Sequence, residues 1–204
     1  TLTVPSNVML PKDFTSEWHK FPAIVKAKLH EYDITAGDIK HYHLGWSEQW
    51  QRFIFPVYRG SDLVGFAARY YGNDPDLPKY ITRYKNDGDL WQVFPCRKPH
   101  INPPASVVVE DMLSAIRCTD DANAITLFGT EMGDKCLDHA ANMQTSGFLV
   151  FLDDDNPTVQ RKALAIKDRL TMIHSNVRLF HSGGIDPKEF SKEDLSNILR
   201  ENIL

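Results

Sequence analysis

Four carboxylates carry most of the chemistry this sequence offers. Asp153 and Asp155 stand two apart at the end of FLVFLDDD, Glu110 closes SVVVE, and Asp186 sits within GGIDPKEF. Residues two apart in extended chain project to the same side, so Asp153 and Asp155 form a pair. Carboxylates held that close raise one another's pKa unless a cation neutralises them. Mg²⁺ (or Mn²⁺) suits such a cluster, because a hard ion takes a few carboxylate oxygens and keeps its other positions for waters and phosphates. Capping accounts for part of the three-aspartate run, since acidic residues complement a helix start. Asn156 and Pro157 already form a cap and a first helical position, however. Metal binding is the stronger reading for Asp153 and Asp155. Taken singly, Glu110 is an ordinary strand end and Asp186 an ordinary Asp-Pro turn.

The elements that would gather these groups fill the second half of the chain. SVVVE, AITLF (Ala124 to Phe128), FLVFL and VRLF (Val177 to Phe180) are short apolar runs, and helical stretches separate them. Short continuous strands alternating with helices imply a parallel sheet covered on both faces. Ligands bind such sheets beyond the carboxyl ends of the strands. That rule sends Glu110, Asp153, Asp155 and Asp186 to one edge. After Pro157, Val159, Ala163, Ile166 and Leu170 share a helical face, and Ser191 with Asp194 has capping-box spacing before a last helix.

The first half differs. A proline-rich break at His100 to Ser106 separates residues 1–104 from residues 105–204. Residues 15–32 look helical, and Arg52 to Tyr71 holds two strand-like segments around Gly-Ser-Asp, a hairpin signal. This half is a mixed α+β subdomain. It carries 13 Lys+Arg against 11 Asp+Glu, whereas residues 105–204 carry 10 against 16. An acidic half beside a mildly basic one fits a metal site next to a polyanion track. Hydrophobic content of 42% argues against disorder. Cys96, Cys118 and Cys136 lie far apart, which argues against a zinc ribbon or a disulfide scaffold and favours a reducing cytoplasm. No apolar run approaches the roughly 18 residues that span a bilayer, so no membrane partner is expected. Trp46, Trp50 and Trp91 read as core or rim aromatics, and Gly183-Gly184 as the permissive turn before Asp186.

VVVED, LFGT, FLDDD and GGIDPKEF, in that order, resemble a Toprim domain. Arg52-Phe-Ile-Phe-Pro56, Gly65-Phe-Ala-Ala-Arg69 and Pro78-Lys79-Tyr80 resemble the amino-terminal subdomain of bacterial-type and bacteriophage DNA primase cores. The likeness runs from about Ile34 to about Phe190. It implies an α/β fold, a Toprim parallel-sheet domain preceded by a mixed α+β primase subdomain. It implies DNA-directed synthesis of RNA primers on single-stranded DNA from NTPs, with a replicative helicase, fused or separate, as a partner. Residue by residue, Glu110, Asp153 and Asp155 would hold Mg²⁺ or Mn²⁺ with Asp186 nearby, and Arg52, Arg69, Lys79 and Lys85 would line the nucleic-acid or nucleotide track.

The chain departs from the family pattern at three positions. Asp111 stands where the family usually has Gly, Ser114 where it usually has Asp, and Lys188 where it has the second Asp of Asp-Pro-Asp-Glu. A Toprim nuclease would share the carboxylates but has no reason to carry the Arg52–Tyr80 segment. A topoisomerase needs a nucleophilic tyrosine in a further domain. An aspartyl-phosphate phosphatase places its loop on the first strand, with most of its fold downstream. A catalytically decayed Toprim module that binds DNA is the non-enzyme alternative, and metal-dependent activity separates it from a primase.

Overall fold

The computed structural model describes residues 8–85, 90–99, 102–153 and 156–203. It contains two compact units, divided between Leu90 and Trp91.

The first unit is built on an antiparallel sheet of four strands in sequence order: β1 (Gly45–Ser47), β2 (Arg52–Arg59), β3 (Asp62–Tyr70) and β4 (Tyr80–Tyr84). β2 and β3 form the expected hairpin, turning at Gly60 with φ +60°. One face buries Ile54, Phe66 and Ala68 against Val8, Leu10 and Phe14. Phe53 alternates to the other face and meets Phe21 edge-on at 5.9 Å. Two helices precede the sheet, α1 (Ala23–Glu31) and α2 (Ala36–His41). Helix was expected over 15–32, but α1 begins only after Pro22, which supplies its start and breaks the chain from a short 3₁₀ turn at Trp18–Lys20. Thr35 and Asp38 close a reciprocal capping box on α2.

The second unit holds a five-stranded sheet in the order β5-β7-β6-β8-β9. Its strands are β5 (Gln92–Phe94), β6 (Ser106–Val109), β7 (Asn123–Thr126), β8 (Phe148–Val150) and β9 (Val177–Leu179). β6 to β9 are mutually parallel, and β5 adds an antiparallel edge beside β7. That pairing places β5 with the second unit, ahead of the proline-rich stretch that suggested a division at 104/105. The four parallel strands are the four apolar runs of the sequence. α3 (Met112–Cys118), α4 (Asp134–Ala141), α5 (Pro157–Thr171) and α6 (Lys192–Ile203) connect and follow them. Val108, Ile125, Phe148 and Val150 point to the face that packs against Ala163, Ile166 and Leu170 of α5. α5 starts as its sequence demands: Asn156 Oδ1 accepts from the N–H groups of Thr158 and Val159, at 3.0 and 3.1 Å. Ser191 Oγ accepts from the Asp194 N–H at 3.1 Å at the head of α6. Among the described residues no helix is long and apolar enough to cross a membrane.

Candidate functional site

Strand order builds the carboxylate edge. β6 is the central strand and β8 its direct neighbour, with Val108 opposite Val150. Pairing continues past the register, the Phe151 N–H donating to Val108 O at 2.9 Å. Glu110 and Asp153, the residues that leave these two strands, therefore emerge side by side. The Glu110 backbone is pinned from β7, its carbonyl accepting from Thr126 Oγ1 at 3.1 Å and from the Gly129 N–H at 3.2 Å.

The Glu110 side chain is mostly withdrawn from water, and Oε1 is a buried acceptor with no hydrogen-bond donor among the described residues. Burial pushes its carboxyl up to about 7, helped by the negative charges of Asp153, Asp186 and Asp111 and partly opposed by the Asp153 N–H. Oδ1 of Asp153 is buried as well. A buried anionic acceptor without a donor, beside a second carboxylate, is a donor set a hard cation satisfies. In that sense Glu110 and Asp153 fit Mg²⁺. Among the described residues no group of three or more His, Cys, Asp and Glu is gathered for a metal. Asp155 lies outside the described residues.

Asp186 lies near enough to help raise the Glu110 carboxyl, and it also pairs with a lysine. It precedes a 3₁₀ turn, Pro187–Glu189, reached through Gly183 and Gly184 at φ +68° and +90°. Lys188 in that turn is 5% exposed. Its ammonium forms ion pairs with Asp186 and with Asp111, the latter at 2.8 Å. The two carboxylates hold the ammonium well above the ordinary lysine range despite its burial. Asp186 is itself displaced upward, because burial outweighs the pull of Lys188. Asp111 serves twice. Its Oδ1 caps α3, accepting from the N–H groups of Leu113 and Ser114 at 2.8 and 3.0 Å, while its Oδ2 takes Lys188.

In the first unit, the four cations expected along a nucleic-acid track occupy unlike settings. Arg52 is 5% exposed. Its guanidinium donates to the carbonyls of Pro78 at 2.9 Å, Ala68 at 3.2 Å and Lys79 at 3.5 Å, and lies 5.0 Å from the Tyr70 ring. It ties β2 to the segment before β4. Arg69 is 9% exposed, 5.2 Å from the Tyr71 ring and 5.6 Å from the Tyr80 ring, and donates to Tyr80 Oη at 3.2 Å. Lys79 is exposed and Lys85 half-buried. Tyr80, which closes the Pro78-Lys79-Tyr80 motif, and Tyr84 are exposed aromatics on edge strand β4, next to exposed Arg83, and neither was given a role from sequence. Their signal was the alternation in YITRY, which puts Tyr80, Thr82 and Tyr84 on one face.

No family model matches the chain, and no curated protein sequence does. The fold is similar to a crystal structure of the zinc-binding and RNA polymerase domains of the Aquifex aeolicus primase. The similarity has a TM-score of 0.57 at 21% identity, over 89% of this chain and 48% of that one. The chain thus spans about half the length of that structure and shares a primase fold: mixed α/β, with two sheets, one of them mainly parallel.

Proposed function

We propose that this chain is the catalytic core of a Toprim-type DNA primase, a nucleotidyltransferase that makes short RNA primers on a single-stranded DNA template from NTPs. The observation that carries the reading is the pairing of Glu110 and Asp153 at the carboxyl edge of a parallel sheet, on a primase fold. Asp155 is assigned to the same ligand set from its place in the sequence.

Glu110 and Asp153 would hold Mg²⁺ or Mn²⁺. When bound, the ion supplies a lowered pKa for the attacking 3′-hydroxyl and charge stabilisation at the transferred phosphate. The chain's own part is to fix the Glu110 backbone, through the contacts from Thr126 and Gly129, and to present a buried Oε1 without a donor among the described residues, which favours a cation there. Lys79 and Lys85 would meet the phosphates of template, primer or NTP, while Arg52 and Arg69 would stiffen the strands that carry them. Template affinity then falls as salt rises. A helicase partner, fused or separate, accords with the reading.

The test is primer synthesis on single-stranded DNA with labelled NTPs and Mg²⁺ or Mn²⁺, run beside Glu110→Gln and Asp153→Asn. Short RNA is expected from the parent. A loss of at least about 100-fold is expected in each variant, since even groups behind metal ligands are worth about 10–100-fold. The burial of Lys188 against Asp186 favours a second reading, a Toprim module that binds DNA without polymerising. A parent that retains single-stranded DNA yet makes no RNA, even on a pre-annealed primer, decides for it, and DNA cleavage in the same reactions decides for a nuclease.

A further inference from the structure

Of the lysines described, Lys188 alone is buried. A buried ammonium needs partners for three donors, and this one draws on two acidic residues of the carboxylate edge. The arrangement is stiff on every side. Asp111 is fixed by its capping bonds to Leu113 and Ser114. The Asp186–Glu189 turn is closed by the Glu189 N–H on Asp186 O at 2.9 Å. The end of that segment is held by Arg117, whose Nη2 donates to Phe190 O at 2.8 Å. Lys188 is therefore delivered between Asp111 and Asp186 by the backbone, and does not reach them from solvent.

We infer that Lys188 is a built-in cation: its ammonium neutralises Asp111 and Asp186 and keeps Asp186 from binding a metal ion, leaving the metal on this edge to Glu110 and Asp153. The inference rests on the proposed reading of Glu110 and Asp153 as metal ligands. A divalent ion at Asp186 Oδ2 would lie beside a like charge, or would have to expel Lys188 and leave its buried ammonium without Asp186. Glu110 has no such internal cation among the described residues: Oε1 has no donor, and the neighbouring charges are Asp153, Asp186 and Asp111. One edge thus carries Glu110, whose buried Oε1 has no donor among the described residues, and a pair, Asp111 and Asp186, that brings its own cation.

The experiment is a Mn²⁺ titration of the full chain followed by electron paramagnetic resonance, counting bound ions and their affinity, with thermal melts in Mg²⁺ alongside. The parent, Glu110→Gln, Asp186→Asn and Lys188→Met are compared. Glu110→Gln is expected to weaken Mn²⁺ by about tenfold or more, whereas Asp186→Asn is expected to change neither the number of ions nor, beyond about twofold, their affinity. Lys188→Met is expected to bind one additional Mn²⁺ and to gain more in melting temperature from Mg²⁺ than the parent does. An Asp186→Asn chain that loses an ion, or a folded Lys188→Met chain that gains none, overturns the inference while Glu110→Gln keeps the metal reading intact. A parent that binds no Mn²⁺, or an unaltered Glu110→Gln, overturns both. Should Lys188→Met fail to fold, Asp186→Asn against the parent decides alone.

Discussion

Two carboxylate groups share one edge of the parallel sheet and handle their repulsion in opposite ways. Glu110 and Asp153 leave neighbouring strands β6 and β8, and the Glu110 carboxyl is pushed up to about 7 by burial and by the acidic groups around it. Asp111 and Asp186 close around the Lys188 ammonium. Glu110 is poor as a structural element, because a buried acceptor without a donor is costly. The second pair is neutralised internally, and removing one member would leave a buried charge uncompensated. A group left unneutralised in the folded chain is a candidate for binding, whereas one neutralised internally is a candidate for structure. The same contrast recurs in the first unit, where Arg52 spends its guanidinium on three backbone carbonyls while Lys79 is exposed.

The largest stability effect is expected at the self-sufficient pair. Lys188→Met leaves two carboxylates facing each other and should lower unfolding free energy by about 3 kcal/mol in metal-free buffer, the scale for a broken buried ion pair. Urea denaturation reads it, and a loss within the scatter of surface substitutions would erase the contrast between the two pairs. Arg52→Ala comes next, at about 2 kcal/mol, because carbonyls that now receive a charged donor lose it. Its counterpart Lys79→Ala should leave stability within about 0.5 kcal/mol. It should also flatten the salt dependence of single-stranded DNA binding, by about 0.7 in the log–log slope for each phosphate that the lysine neutralises. Equal effects of the two substitutions on stability would remove the distinction between a structural and a solvent-facing cation.

The most delicate test concerns Glu110. The Glu110 carboxyl lies above its ordinary value of 4.5. A raised carboxyl stabilises the folded state while protonated, so its contribution is complete below about pH 4.5 and lost as pH climbs through 7. In EDTA, Glu110→Gln should therefore match the parent near pH 4 and exceed it by on the order of 1 kcal/mol at pH 8, a figure reduced for partial solvent screening. Saturating Mg²⁺ should reverse that order. Urea melts across pH read both effects, and a difference that stays flat with pH would mean that Glu110 is not desolvated.

Much of the fold was legible because it is written in local pattern. Of the four parallel strands, Ser106–Val109 and Phe148–Val150 are apolar runs buried along their whole length, and α5 starts at the Asn156–Pro157 signal. The elements missed or misplaced carry little pattern of their own. β5 is three residues long and owes its place to pairing with Ile125 and its neighbours, and α2 has six residues with a glycine among them. Pro22 starts α1 and so leaves residues 15–21 outside the helix expected over 15–32.

The candidate site divides along the same line. From the sequence alone came the expectation that Glu110 and Asp153 share an edge, since a parallel sheet sends every strand's carboxyl end to one side whatever the details of packing. Which carboxylates would be left in need of a cation was beyond it. Lys188 meets Asp111 across 77 positions, and Arg52 meets Pro78 across 26. Such partners are chosen by strand order and by where a turn sets down its side chains, quantities that no local window of sequence contains. A lysine in an Asp-Pro-Lys-Glu turn is, by composition, a surface residue. Only the tertiary structure, by burying it between two aspartates, made it a counter-ion.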